Sequence, residues 1–318
     1  MLSLKQCFKF KFFMLIVSTG LLIIFVDLFF YETIVRLPGS NKVDDKNNQK
    51  VLCVVLTTEK YLLNRSVTVW DTWANKCEKT VFACNCANFT KAINSNQRFN
   101  LFPNLQDYKK ALELPIMQIN VTNENKKNMA DKVFKVVQKV FDNYERDFRW
   151  FLLTDDDTYI FYKNLKSFIS NKSSNKPLTY GYNFKAIVPT GYNSGGAGIL
   201  FTHEALKRIS NSIRKGICNQ TRGHGDLALG KCAYKSNVSM GNSLDEFGRE
   251  RFHPLSFRGH FKGYLPQWLK EYSSNGVKIG NDCCSDETIS FHYVSGEQMQ
   301  FFGNMINHRL IKNIYNIF

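Results

Sequence analysis

The feature that most restricts the fold is an apolar segment that runs directly into three consecutive carboxylates. The residues Phe148 to Leu153 predict a buried strand, and Asp155, Asp156 and Asp157 follow it. In open α/β sheets, ligands bind outside the carboxyl ends of the strands. The segment therefore predicts a sheet whose carboxyl edge carries an acidic site.

The neighbouring segments alternate between strand-like and helix-like patterns. Apolar Val51–Leu56 predicts a second buried strand, and Thr80–Ala83 and Leu114–Val121 are further strand candidates. Apolar residues at helical spacing predict helices over Leu62–Lys76 and Asn128–Tyr144. Strands and helices in alternation predict an α/β domain with a mostly parallel sheet.

The N-terminal segment predicts a membrane anchor. Lys5, Lys9 and Lys11 precede a stretch at residues 12–31 that is apolar except for Asp27 near its end. It has the ~20 residues that a spanning helix needs. The positive-inside rule then leaves a cytosolic tail at 1–11, a stem at 32–50 and a lumenal domain at 51–318. A cleaved signal peptide is the alternative interpretation.

Sequons and cysteines agree with a lumenal domain. An oxidising lumen favours disulfides, although the number of cysteines does not give their connectivity. Zinc is an alternative for the pair Cys84 and Cys86, but the usual CxxC spacing is missing. The six sequon asparagines are Asn64, Asn88, Asn120, Asn171, Asn219 and Asn237. The eight cysteines after the anchor are Cys53, Cys77, Cys84, Cys86, Cys218, Cys232, Cys283 and Cys284.

The formal net charge of +15 raises the question of a polyanionic partner. The lysines and arginines are scattered along the chain, and no nucleic-acid-binding motif accompanies them. We therefore predict a solvated basic surface and no nucleic-acid partner. The positive charge also favours an anionic ligand such as a nucleotide sugar.

The acidic triplet has the chemistry of a divalent-cation site. Carboxylate oxygens are hard ligands that suit Mg²⁺ or Mn²⁺, and such an ion can neutralise a departing diphosphate. A solvated acidic turn is the alternative. The strand before the triplet and the apolar residues after it favour the metal site.

Three further segments carry candidate chemistry. The loop Tyr192–Gly198 is rich in small residues, which fits either a tight turn or close approach to a ligand. Thr202 is a candidate cap for the helix that follows this loop. Asp226 starts an apolar helix, where it is either a helix cap or a general base. His292 becomes a ligand candidate only if it lies beside the acidic triplet.

Together these segments resemble glycosyltransferase family 31, and most closely its core 1 β1,3-galactosyltransferase branch. The resemblance runs from about Val51 to Val294. It rests on Leu52-Cys53, Thr72-Trp73-Ala74 with Cys77, WFLLTDDDTY (150–159), SGGAG (194–198), DLALGKC (226–232), FHP (252–254), KGYLP (262–266), CCSD (283–286) and ISFHYV (289–294).

The resemblance implies a GT-A fold, which is a Rossmann-like and mostly parallel sheet with flanking helices. It implies UDP-galactose as donor, Mn²⁺ as cofactor and inversion at the anomeric carbon. The acceptor would be N-acetylgalactosamine on serine or threonine of a glycoprotein. A homodimer in the Golgi membrane is implied as well.

The same resemblance assigns roles to individual residues. Asp226 matches the catalytic base of the family. The metal ligands would be Asp155, Asp157 and His292. The donor cleft would be lined by Thr57, Asp155, Asp156, Gly195 and Gly196. The implied disulfides are Cys53–Cys77, Cys218–Cys232 and Cys283–Cys284, which leaves Cys84 and Cys86 open to a bridge, free thiols or an intermolecular bond.

The sequence departs from the family pattern at two places. Gly225 stands where the family usually has Glu. The segment after KGYLP has only two aromatic residues, Trp268 and Tyr272, which are the acceptor-binding candidates, with core packing as the alternative. Two other functions compete: a fringe-like N-acetylglucosaminyltransferase, and an inactive chaperone of the same fold. The chaperone lacks the acidic triplet that this chain retains.

Overall fold

The computed structural model describes residues 49–87, 89, 105–121 and 124–307. Within these ranges, no helix combines the length and the apolar character that crossing a membrane requires. The predicted tail, anchor and most of the predicted stem lie outside the described residues.

A seven-stranded sheet forms the centre of the domain, in the order β10-β6-β9-β4-β1-β2-β3. All neighbouring strands in it are parallel except for β9, which runs antiparallel to both β4 and β6. This confirms the predicted mostly parallel sheet. The strands are β1 Val51–Leu56, β2 Lys79–Cys84, β3 Ile116–Gln118, β4 Trp150–Asp155, β6 Leu178–Tyr180, β9 Ile199–Thr202 and β10 Ser239–Met240.

Two smaller sheets and nine described α-helices complete the structure. The small sheets are β11 Phe252–His253, β12 Ser290–Phe291 and β5 Tyr159–Ile160, in that order, and the pair β7 Asn183–Phe184 and β8 Tyr192–Asn193. The helices are α1 Val67–Thr72, α2 Leu105–Glu113, α3 Met129–Tyr144, α4 Tyr162–Ile169, α5 His203–Arg214, α6 Gly225–Lys235, α7 Phe257–Lys262, α8 Gln267–Tyr272 and α9 Gly296–Asn307.

Apolar residues on both faces explain why β1 lies in the middle of the sheet. Val51, Cys53 and Val55 belong to one hydrophobic cluster, whereas the alternate residues of the strand belong to a second cluster on the opposite face. Alternate side chains of a strand point to opposite faces, so a continuous apolar run needs cover on both. The helix α3 supplies cover on the second face through residues such as Val133 and Val137.

Two predicted elements differ from the structure. The helix expected over Leu62–Lys76 is divided into a π-helical turn at Leu62–Ser66, α1, and a 3₁₀ turn at Ala74–Lys76. The strand expected over Leu114–Val121 is only the short β3. Pro115 lacks an N–H and contributes only its carbonyl, which accepts from Phe82, so regular pairing begins after it.

The described residues form four disulfides. Cys53 pairs with Cys77, Cys218 with Cys232, and Cys283 with its neighbour Cys284. These are the pairs that the resemblance implies. Cys84 is bonded to Cys86, which lies just beyond the end of β2, and this bond excludes the zinc alternative for the two sulfurs.

Candidate active site and metal centre

The acidic triplet forms a tight turn at the carboxyl end of β4. Asp155 is the last residue of that strand, and the backbone N–H of Thr158 donates to its carbonyl oxygen. The Thr158 hydroxyl donates to the carbonyl oxygen of Gly196 at 2.8 Å. The turn is therefore attached to the small-residue loop that the sequence singled out.

Strand pairing brings His292 to this turn. The strand β12 runs antiparallel to β5, with Phe291 opposite Tyr159, and His292 follows β12 directly. Its Nε2 lies 3.1 Å from Asp157 Oδ1 and 3.7 Å from Asp155 Oδ2. One ligand atom from each of these three residues lies within 4.8 Å of the others. The condition under which His292 becomes a ligand candidate is thus met.

The surroundings of His292 fit a metal ligand. Its Nδ1 faces the carbonyl oxygen of Pro254 at 3.1 Å, and an Nδ1–H donated there leaves Nε2 as the ring nitrogen that a metal would bind. Histidine ligands of metals commonly donate their second ring N–H in this way. A Cβ on Gly196 would lie 2.2 Å from the His292 ring, so this position requires glycine.

The electrostatics of the group Asp155, Asp157 and His292, called the acidic cluster below, favour binding of a cation. Desolvation raises the pKa of Asp155 to about 6, with the His292 charge opposing it and the carboxylates of Asp157, Asp156 and Asp226 adding to it. Desolvation also acts on Asp157, but the hydrogen bond and charge of His292 and the charge of Arg65 outweigh it, and its pKa is lowered. A divalent cation would stabilise the ionised form of both carboxylates.

Asp156 is buried, whereas Asp155 and Asp157 are partly exposed. It is 5% exposed, and its Oδ2 accepts from the Thr57 hydroxyl at 2.7 Å. Its Oδ1 accepts from Arg65 at 3.1 Å. Thr57 is equally buried and also bonds to Ser66. The predicted donor-cleft residues Thr57 and Asp156 therefore support the acidic turn, and protein groups already engage both Asp156 oxygens.

Arg65 is a site residue that the sequence interpretation missed. It lies on the π-helical turn after β1, and its Nη1 is 3.1 Å from both Asp156 Oδ1 and Asp157 Oδ2. Its guanidinium stacks over the Tyr61 ring at 4.2 Å. The contacts span more than 90 residues of sequence, but β1 and β4 are parallel neighbours, so the segments that follow them meet at one edge.

Asp226 lies on the other side of the small-residue loop. Its Oδ2 accepts from the Gly195 N–H at 3.2 Å, and its Oδ1 accepts from the Leu227 N–H at 2.8 Å. The N-cap of α6 is His224, so Asp226 is a first-turn residue rather than the N-cap. A Cβ on Gly195 would lie 3.1 Å from the Asp226 Cβ. The glycine pair thus lies between the candidate base and the candidate metal ligand.

The loop forms a tight turn, as one of the two interpretations of its glycines predicts. The Gly198 N–H donates to the Gly195 carbonyl oxygen at 2.9 Å, and Gly198 has φ +87°.

The departure at Gly225 has a packing explanation. A Cβ there would lie 2.8 Å from Val133 Cγ1 and 3.3 Å from the Met129 carbonyl oxygen. The first turn of α6 therefore packs directly on α3, and a glutamate at this position would force the two helices apart.

The two acceptor candidates share an aromatic wall near Asp226. Trp268 and Tyr272 both pack edge-on against Phe184, which in turn packs against Tyr192. Burial raises the pKa of Tyr192 to about 12, and the nearby Asp226 and Tyr272 add to this effect. Trp268 keeps 44% of its surface exposed, so part of this wall remains open to a ligand.

Comparison of the sequence with known proteins identifies a matching family profile and several relatives. The sequence profile described as Fringe-like matches residues 46–255. The chain is 30% identical over 279 residues to glycoprotein-N-acetylgalactosamine 3-beta-galactosyltransferase 1 of Xenopus laevis, an alignment that covers 86% of this chain and 71% of the relative. It is 25% identical over 226 residues to chondroitin sulfate synthase 3 of Mus musculus, with 66% of this chain but only 23% of the relative covered.

A structural comparison gives a weaker likeness. The crystal structure of the galactosyltransferase LgtC with donor and acceptor sugar analogues aligns with a TM-score of 0.38 and 13% identity. The alignment covers 80% of this chain and 95% of that chain.

Proposed function

Because this chain belongs to the Fringe-like family of glycosyltransferases, we propose that it transfers galactose from UDP-galactose to the 3-hydroxyl of N-acetylgalactosamine on serine or threonine. The observation that carries the proposal is the convergence of two groups on one glycine pair. Gly195 contacts Asp226, and Gly196 contacts His292 of the acidic cluster. A carboxylate and a candidate cation site thus lie on either side of one glycine pair.

In this reaction Asp226 acts as the general base. It accepts the proton of the acceptor 3-hydroxyl as that oxygen bonds to C1 of galactose and the C1–phosphate oxygen bond breaks. UDP leaves, and the configuration at C1 inverts because one displacement occurs. The Gly195 N–H and the Leu227 N–H hold the carboxylate in place while it takes up the proton.

The acidic cluster serves the leaving group. Mn²⁺ bound by Asp155, Asp157 and His292 would supply charge neutralisation for the diphosphate. Arg65 and Thr57 stabilise the conformation of the acidic turn by hydrogen bonding to Asp156. The exposed part of Trp268, with Tyr272 beside it, provides an aromatic surface of the kind on which a sugar ring packs.

A donor and acceptor screen tests the proposal. With Mn²⁺ and a peptide carrying N-acetylgalactosamine, we expect the purified protein to use UDP-galactose and to form a β1,3 linkage, as determined by NMR of the product. Faster transfer from UDP-N-acetylglucosamine or UDP-glucose would establish a different family 31 donor. Absence of transfer from every UDP-sugar, with the protein folded, would favour the chaperone-like alternative.

We also propose a Golgi, type II membrane location, with residues 12–31 as the anchor. The lysines before this segment support it, as do the four disulfides. The described sequon asparagines are exposed, namely Asn64, Asn120, Asn171, Asn219 and Asn237. We therefore expect endoglycosidase treatment of the expressed full-length protein to increase its gel mobility. Unchanged mobility together with protease sensitivity from the cytosolic side would contradict this topology.

A further inference from the structure

Arg65 has more donor capacity than its protein partners use. Only Nη1 bonds to the carboxylates, at 3.1 Å to Asp156 and 3.1 Å to Asp157. No described residue accepts a hydrogen bond from its Nε or Nη2. A guanidinium presents five N–H donors in a fixed fork, which suits it to carboxylates and phosphates.

The position of Arg65 links it to the candidate metal centre. Asp157 is shared: its Oδ2 contacts Arg65, and its Oδ1 contacts His292 Nε2. The guanidinium and the cation site therefore lie on the two oxygens of one carboxylate. A phosphate group held by a cation at that site would be a near neighbour of the guanidinium.

Two further observations suit a ligand-binding role. The Arg65 side chain is 39% exposed although both of its carboxylate partners are largely buried, so a ligand can reach it from the solvent. The Arg65 guanidinium carbon lies 4.2 Å from the centroid of the Tyr61 ring, and this contact restricts the side chain and reduces the entropy that ligand binding would cost. A counter-ion for Asp156 and Asp157 needs neither feature.

We propose that Arg65 directly binds the diphosphate of the nucleotide-sugar donor, alongside the cation held by Asp155, Asp157 and His292. The inference rests on the proposed function in that the donor is a uridine diphosphate sugar. Arg65 would then share the negative charge that develops on the departing UDP.

The test compares Arg65→Gln with Lys60→Gln. Lys60 lies five residues earlier, is exposed and also approaches the Tyr61 ring, at 5.3 Å, so its substitution removes the same charge beside the same aromatic residue. Calorimetry gives the dissociation constant of UDP in saturating Mn²⁺. Competition with UDP gives the dissociation constant of uridine. The dissociation constant of Mn²⁺ is measured separately, without nucleotide. Arg65→Lys is the second variant, because it keeps the charge but loses the planar fork.

We expect Arg65→Gln to weaken UDP binding by about ten- to a hundredfold, the usual range for hydrogen bonds to charged groups, while uridine and Mn²⁺ binding change by less than about threefold. Arg65→Lys should fall between Arg65→Gln and the wild type, and Lys60→Gln should match the wild type. Unchanged UDP affinity in Arg65→Gln would overturn the inference. Equal loss of uridine or Mn²⁺ binding would also overturn it, because Arg65 would then only maintain the acidic turn.

The failure of this inference can be distinguished from failure of the proposed function. If the wild-type protein binds UDP with Mn²⁺ but does not transfer galactose, the proposed donor is wrong and the Arg65 comparison still decides this inference. If the wild-type protein does not bind UDP in the presence of Mn²⁺, both the proposed function and the proposed role of Arg65 are wrong.

Discussion

Asp226→Asn will lower the turnover of galactose transfer by about 10²–10⁴-fold, the usual range for removal of a general base. Asparagine is nearly isosteric with aspartate, and its amide oxygen can still accept from the Gly195 or Leu227 N–H. The amide cannot take up the proton of the acceptor hydroxyl. We therefore expect UDP affinity in Mn²⁺ to stay within about threefold of the wild type, because Asp226 lies outside the acidic cluster.

A matched substitution separates catalysis from helix stability. Asp131 is the acidic residue in the first turn of α3, as Asp226 is in the first turn of α6. Each substitution removes a charge that interacts favourably with the helix dipole, which is worth about 0.3–1 kcal/mol. Asp131→Asn should therefore cost a similar amount of stability and leave turnover unchanged.

Measured turnover and UDP binding together decide the role of Asp226. Turnover of Asp226→Asn within about threefold of the wild type would refute the assignment as base, since general-base catalysis contributes much more than that. Loss of UDP binding and turnover together would point to a structural role for the Gly195 contact. Retained binding with a large loss of turnover is the result that the mechanism requires.

The strands and the acidic turn could be predicted because their sequence patterns are local. Buried strands appear as continuous apolar runs, and β1 and β4 both begin or end within two residues of the predicted bounds. The cap of α5 was also predictable, because the Thr202 hydroxyl accepts from the Ala205 N–H. In each case the determining contacts lie within a few positions of one another.

Features that depend on distant contacts were not predictable in the same way. The buried position of Asp156 depends on Thr57 and Arg65, which precede it by 99 and 91 residues. Three adjacent aspartates form one uniform run in the sequence. Contacts with the residues that follow the neighbouring strand β1 distinguish Asp156 from the other two. The glycine at 225 likewise appeared as an unexplained departure until the packing of α6 on Val133 was known.

The position of Arg65 follows from the order of the strands. The chain that leaves the carboxyl end of β1 must pass the same edge of the sheet as the acidic turn that follows β4, because the two strands are parallel neighbours. A cation in the first turn after β1 is therefore placed to meet the carboxylates. Strand patterns in the sequence do not give the order of the strands, so they do not show that the segments after β1 and β4 meet.

Mn²⁺ will stabilise the wild-type protein against heat, and Asp157→Asn will abolish both this stabilisation and galactose transfer. A ligand at a hundred times its dissociation constant stabilises the native state by about 2.7 kcal/mol. For a domain of this size that corresponds to a rise in Tm of about 5–10 °C. Asp157 shares its two oxygens between His292 and Arg65, so an amide at this position removes charge from the centre of the cluster.

Asp71→Asn is the control for the loss of a carboxylate. Asp71 forms a surface ion pair with Lys110 at 2.7 Å, and surface pairs contribute about 0–1 kcal/mol. This variant should keep the Mn²⁺-dependent rise in Tm and full transfer activity. Chelation of the wild-type protein should reproduce the Asp157→Asn phenotype, and added Mn²⁺ should reverse the effect of chelation only.

The pH dependence of the same measurement tests the ligands themselves. The pKa of Asp155 is raised to about 6, and the pKa of His292 is raised above its ordinary value because the Asp157 and Asp155 carboxylates outweigh the effect of burial. Protons therefore compete with the metal for Asp155 as the pH falls through about 6, and for His292 from a higher pH than its ordinary pKa would give. The Mn²⁺-dependent rise in Tm should be large at pH 7.5 and small at pH 5.5, where both ligands are mostly protonated.

Comparing Tm with and without Mn²⁺ at each pH cancels the effect that titration of groups outside the site has on stability. One such group is the buried Glu250, whose pKa is raised to about 7. A metal effect that is equal at both pH values, or that survives in Asp157→Asn, would show that Mn²⁺ binds elsewhere and that these three residues are not its ligands.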